Sequence, residues 1–115
     1  MRETVTITTK RFSDLKLEEI YGILRVRSEV FVTGQKCLYV DPDGRDFGSV
    51  QVFASKGERI IGCLRIYGKE AGVVQIGRVA VIESPFTVRR VISIYAICYQ
   101  RFAVIKKLKS IFSAV

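Results

Sequence analysis

The chain has 115 residues, 49% of them hydrophobic and 26% charged, which fits one globular domain with a modest core and excludes a disordered chain. It contains no histidine and three widely spaced cysteines, Cys37, Cys63 and Cys98. That composition removes Ser-His-Asp and Cys-His nucleophile systems, gives no disulfide framework and leaves no zinc-ligand set. Net charge is +8 and unevenly spread: residues 1–83 hold 13 basic and 11 acidic residues, whereas residues 84–115 hold six basic and none acidic. The polar start MRETVTITTK lacks a signal-peptide core, and the apolar stretch Val91–Tyr99 is too short to span a bilayer, so reduced thiols and a cytoplasmic location are expected.

Taken in chain order, Thr4–Lys10 alternates as a first strand. Ser13 and Asp14 carry the short oxygens of a helix start, and Glu18 and Glu19 suit its N-terminal dipole. Leu17, Ile20, Tyr21, Leu24, Ser28 and Phe31 fall at helical spacing, which predicts a helix over 17–31 with Arg25 and Glu29 as an i, i+4 pair. Residues 33–48 break that pattern with three glycines, Pro42, and the cluster Asp41, Asp43 and Asp46, and read as a long loop. Strands are predicted over 50–55, 59–67 and 73–82, joined by turns at Lys56-Gly57-Glu58 and at 68–72. Together they form an α+β plan with an antiparallel meander. Beyond Glu83 the periodicity degrades. Phe102, Ile105, Leu108 and Phe112 suggest a basic helix beside Arg101, Lys106, Lys107 and Lys109.

Three stretches appear in a recognisable order: LEEIYGILRVRSEVFVTGQKCLYVDPDGRD (17–46), ERIIGCLRIY (58–67) and VVQIGRVAV (73–81). Together they resemble the ElaA-like branch of the GNAT acyltransferases. The run Gln35-x-Cys37-x-Tyr39-x-Asp41-x-Asp43 is the most specific part of the match. The resemblance implies a GNAT-like (acyl-CoA N-acyltransferase) fold in a single domain over 1–115. It also implies N-acetyltransferase activity that moves an acetyl group from acetyl-CoA to a primary amine by direct attack. The GRVAV strand should splay from its next neighbour, so that backbone groups of Val79, Ala80 and Val81 meet the pantetheine arm as in strand addition. No metal is implied.

The family's next element is a glycine-rich loop whose N–H groups cradle the pyrophosphate. Here the segment reads SPFTVRRVISIY, with no glycine after Gly77, which leaves Arg89 and Arg90 as side-chain phosphate contacts. Closing strands are expected to be missing, and 84–115 reads as a divergent basic tail. A shifted reading frame from the Thr87 codon would account for this: suitable codons then permit Arg-Lys-Lys-Gly-Tyr. Without closing strands the GRVAV edge is open to self-pairing, so a homodimer joins a small-molecule or peptide amine among the expected partners.

Acyl transfer needs a deprotonated amine and a donor for the departing thiolate. Asp41 and Asp43, with Asp46 nearby, are candidates to attract or deprotonate an amine, set against a reading as solvated turn residues. Tyr39 is a candidate thiolate acid or slot-lining residue, set against simple packing. Gly34 stands where the family often has an acidic residue, Cys37 reads as a small packing residue, and Arg78 is expected to project from the face opposite the core into an ion pair. The competing reading is an inactive remnant that binds through its basic C-terminal helix, with nucleic acid and membrane disfavoured as partners.

Overall fold

The structure, a computed structural model, describes residues 4–70, 73–82 and 107–110. Five strands form one sheet in the order β1-β2-β3-β4-β5: β1 Val5–Arg11, β2 Val50–Lys56, β3 Arg59–Glu70, β4 Val73–Val81 and β5 Lys107–Ser110. The first four are antiparallel neighbours, and β5 runs parallel to β4. One helix, α1 (Leu17–Arg27), packs on one face of the sheet and passes into a π-helical segment, Ser28–Gly34. Among the described residues no helix is long and apolar enough to cross a membrane.

The helix start differs from the sequence expectation. Ser13 and Asp14 belong to a separate 3-10 turn, Phe12–Asp14, and Asp14 pairs with Arg11 at 3.2 Å. Lys16 precedes the helix instead, its N–H donating to Glu19 Oε1 at 2.8 Å. The Lys10 ammonium reaches the same carboxylate at 3.0 Å, which ties β1 to the first turn of α1. Burial alone would raise the Glu19 pKa, but these two donors more than offset it and hold the carboxyl below its ordinary value.

The buried face of α1 is also rotated from the predicted stripe. Ile23, Val26 and Arg27 point at the sheet, whereas Leu17 and Tyr21 are 81% and 75% exposed. Gly22 lies against β3 so closely that a Cβ there would sit 2.8 Å from Ile60 Cδ1. The close seat of this glycine turns Ile23 and Val26 inward. Beyond Arg27 the wider π turns bring Phe31 into the core and take Glu29 off the i, i+4 register with Arg25. No ion pair forms between those two residues.

Alternation along the strands divides the core between the two sheet faces. Phe53, Ile60, Cys63 and Ala80 meet Ile23, Val26 and Phe31 beneath α1. Val52, Ala54, Ile61, Leu64, Ile66, Ile76 and Val79 form the cluster on the opposite face. The Cys63 thiol is fully buried, 4.0 Å from the Ile23 carbonyl, and burial pushes its pKa up to about 12.

Two features of β4 set its outer edge. The β3–β4 ladder passes from Cys63↔Ala80 to Arg65↔Gly77, so Arg78 and Val79 together face Leu64 across a bulge. Arg78 takes φ +50, a left-handed conformation that costs a non-glycine residue roughly 1–2 kcal/mol. On the other side, β5 pairs only with Val73, Val74, Gln75 and Ile76. Lys107–Ser110, Leu108 included, is therefore strand, not the helix that the apolar spacing suggests, and one strand does follow the meander. Phe102, Ile105 and Phe112 lie outside the described residues.

The face assignment of α1 predicts an asymmetry in substitution cost. Ile23→Ala should destabilise by about 2–5 kcal/mol, because it empties a buried site. Leu17→Ser and Tyr21→Ser should each stay within about 0.5 kcal/mol of wild type. Urea unfolding midpoints of the three variants test this, and the reverse order would return the buried face to the predicted stripe.

Candidate functional site

The face of the sheet beneath α1 changes character along β2 and β3. The apolar side chains Phe53 and Cys63 give way, two residues further along the pleat, to Gln51 and Arg65. Into this polar half of the face come Arg27 from the last turn of α1 and the aspartates of the 35–49 loop. Arg27 is 1% exposed, and a cation is well placed at a helix C-terminus. Its Nε donates to Asp41 Oδ2 at 2.9 Å, its Nη1 to Asp46 Oδ1 at 2.8 Å and its Nη2 to the Asp41 carbonyl at 3.2 Å. Gln51 Nε2 donates to Asp46 Oδ1 at 3.2 Å and to Ser49 Oγ at 2.7 Å, and Ser49 Oγ donates to the Asp46 carbonyl at 2.7 Å.

Arg65 grips Asp43 with both ends of its fork, at 2.8 and 2.7 Å, and touches Asp46 at 3.3 Å. This fork, aided by the Arg45 N–H and by Arg78 against the opposing effect of burial, holds the Asp43 carboxyl well below the usual carboxylate range. Arg78 reaches in from the bulge of β4. Its Nη2 donates to the Asp41 carbonyl at 3.2 Å and to Asp43 Oδ2 at 3.4 Å. Its Nε lies 3.0 Å from Asp41 Oδ1 at an angle outside hydrogen-bond geometry, so that contact is ionic. Three arginines thus face three aspartates, and the loop, the helix and β4 are joined at one point.

The candidates named from sequence converge on this point. Asp41 and Asp46 are buried, so neither is a solvated turn carboxylate, whereas Asp43 is exposed: it accepts from the Arg45 N–H as a turn aspartate does and is also held bidentately by Arg65. Arg78 does form an ion pair, but on the α1 face with Asp41 and not on a face opposite the core, and its guanidinium stacks 4.7 Å above the ring of Tyr39. Partial burial, together with the neighbouring Cys37, pushes the Tyr39 phenol above its ordinary pKa against the pull of Arg78. Cys37 is half-buried and packs beside the α1 cluster.

Val79, Ala80 and Val81 follow Arg78 directly. Ile82 N–H donates to the Ile61 carbonyl at 2.9 Å, so strand alternation turns Ala80 toward β3 as well and leaves the Val81 N–H and carbonyl facing away from β3, where no described residue pairs with them. Arg89 and Arg90 lie outside the described residues. Sequence reasoning missed Arg27 and Arg65 as site residues. Their signal was an arginine at an inward helix position, and another on the same pleat face as Cys63. Among the described residues no group of three His, Cys, Asp or Glu side chains could hold a metal ion.

The cluster predicts two outcomes. Arg27→Met leaves Asp41 and Asp46 buried with one partner fewer each, and should cost about 3–5 kcal/mol by urea denaturation, although the methionine fills the space. The depressed Asp43 pKa stabilises the fold fully above the ordinary value of 3.8, and that contribution is lost as pH falls through the folded value. Asp43→Asn should therefore lower the unfolding midpoint clearly at neutral pH, with a gap to wild type that narrows at about pH 2.5. An equal gap at both pH values would contradict the ion pair.

No family model matches the chain. A UPF0039 protein of Synechocystis is 40% identical over 50 residues, covering 44% of this chain and 32% of that protein. ElaA of Escherichia coli is 33% identical over 76 residues, covering 63% of this chain and 50% of ElaA. The chain thus spans half or less of the length of these relatives. An acyl-CoA N-acyltransferase from Pseudomonas aeruginosa superposes with a TM-score of 0.81 at 29% identity, covering 88% of this chain and 74% of that one. The E. coli ElaA structure superposes with a TM-score of 0.85 at 24% identity, covering 93% and 77%. The chain therefore has the acyl-CoA N-acyltransferase (GNAT) fold, and in sequence it is similar to ElaA.

Proposed function

We propose that the chain transfers an acetyl group from acetyl-CoA to a primary amine. The observation that carries this reading is the half-paired edge of β4. The strand is closed by β5 from Val73 to Ile76 and has no described neighbour on that side from Gly77 to Val81. An extended pantetheine arm carries amides that can pair with such an edge as an added strand would, with the outward Val81 N–H and carbonyl as its partners. Arg89 and Arg90 are the side chains proposed to meet the pyrophosphate.

In the reaction the amine nitrogen attacks the thioester carbonyl carbon, the C–S bond breaks, and the sulfur leaves as thiolate. The amine proton passes to solvent water, and the thiolate takes up a proton from a protein donor that solvent then reprotonates. Tyr39, whose phenol carries a proton at neutral pH and stacks on Arg78, is proposed as the donor to sulfur. Asp41 and Asp43 are poorly suited to accept the amine proton, because arginines already occupy their oxygens. Their proposed role is to fix Arg78, and through it the start of the open edge.

Calorimetric titration of the chain with acetyl-CoA tests the reading, with micromolar binding expected. Val81→Pro removes an N–H that the β3–β4 ladder does not use, and should weaken acetyl-CoA at least tenfold while leaving the unfolding midpoint close to wild type. An absence of heat with the folded wild-type chain would overturn the proposal.

A further inference from the structure

A cavity of about 200 Å³ opens beside the arginine–aspartate cluster, between the Asp43–Arg45 corner and the β3–β4 pair. Three of its lining residues carry a buried polar atom that makes no hydrogen bond; of these, Arg78 Nε lies in ionic contact with Asp41, which leaves two without any partner. One is Arg65 Nε, a donor, on a side chain 3% exposed. The other is Gln75 Oε1, an acceptor, on a residue 8% exposed. Buried polar groups are rarely left without partners, and two of opposite character in one small cavity imply a ligand that supplies an acceptor and a donor together.

The charge of the wall selects between ligand classes. Arg45, Arg65 and Arg78 line the cavity against the single carboxylate of Asp43. Asp43 is held by the Arg65 fork, and Arg78 is matched by Asp41. Arg45 has no carboxylate partner among the described residues: its Nη1 donates to the Tyr67 hydroxyl at 3.1 Å, and its guanidinium lies 5.5 Å from that ring. The surplus is cationic, which repels a polyamine and attracts an acid. A bound carboxylate would face Arg45 and, with a small shift of the Arg65 side chain, accept from its Nε, and an N–H beside it would donate to Gln75 Oε1.

We infer that this cavity seats the acid end of the acyl acceptor, so the amine that is acylated belongs to a small amino carboxylate rather than to a polycation. The identification of that amine as the acceptor rests on the acyl-transfer reading above; the carboxylate seat does not.

The test follows the side-chain signals of Arg65 Nε–H and Gln75 by nuclear magnetic resonance in the ¹⁵N-labelled chain. It titrates glycine and, separately, glycinamide, which keeps the amine and lacks the carboxylate. Glycine should move both signals saturably, and glycinamide should bind at least tenfold more weakly. Arg45→Ala, an exposed position, and Gln75→Leu, which retains the side-chain bulk, should each weaken glycine about tenfold; thermal unfolding checks that both variants remain folded. Equal binding of glycinamide, or no movement of either signal by glycine, would overturn the inference. A parallel acetyl-CoA titration separates the two readings. Acetyl-CoA binding without glycine binding removes the carboxylate seat and leaves acyl transfer standing. Glycine binding without acetyl-CoA binding keeps the seat and removes acyl transfer.

Discussion

The arrangement depends on holding Arg27, Arg65, Asp41 and Asp46 as ions in a place that water hardly reaches, with Asp43 and Arg78 at its rim. Ions moved from water into a protein interior lose several kcal/mol each, and mutual attraction returns this only when the remaining donors and acceptors are also matched. Arg27 meets that requirement with three bonds, and Gln51 and Ser49 complete the coordination of Asp46. Such a network gains its value from being complete. It also substitutes for regular structure: the loop from Gln35 to Ser49 has only a 3-10 turn, Arg45–Gly48, and is fixed chiefly through its aspartates. Gly44, at φ +83, lets the chain reverse between Asp43 and Asp46 so that both face the same guanidinium of Arg65.

The same network reaches the proposed reaction edge. Arg78 holds a backbone conformation that a bulky residue ordinarily avoids, and it does so while paired to Asp41 and Asp43 and stacked on Tyr39. The bulge it makes shifts Val79–Val81 by one residue relative to β3. Conformation at the open half of β4 is therefore tied to side chains that begin in the helix and the loop. The contact between Tyr39 and Arg78 also joins the loop to β4, though the two are far apart in sequence.

The strands were legible from alternation because β2 and β3 obey period two, and Lys56-Gly57-Glu58 is a clear turn. The helix was legible in existence but not in orientation. Its apolar residues occupy more than one stripe, and only the contact of Gly22 with Ile60 decides which one turns inward. The π segment was invisible, since Ser28–Gly34 keeps an apolar residue where either helix type could bury it. For the site, Asp41, Asp43, Asp46 and Arg78 could be named, but their state could not. Whether an aspartate is solvated or buried depends on Arg27 and Arg65, and pairing across 14 to 22 residues leaves no periodic trace. Leu108 misled for a related reason: a short parallel strand paired to Val73–Ile76 has no spacing of its own to separate it from a helix turn.

Cys63 carries a consequence of another kind. Its sulfur sits at full depth where α1 meets β3, with a pKa so high that thiolate is scarce at neutral pH. Alkylating reagents act on thiolate, so they reach this sulfur only when helix and sheet part. The rate of its modification, followed by peptide mass, is thus an internal clock for the opening of the domain. Cys37, half-buried in the loop at the margin of the α1 cluster, is reached when the loop alone lifts away. One reagent therefore distinguishes fluctuations that loosen the aspartate loop from those that dismantle the fold.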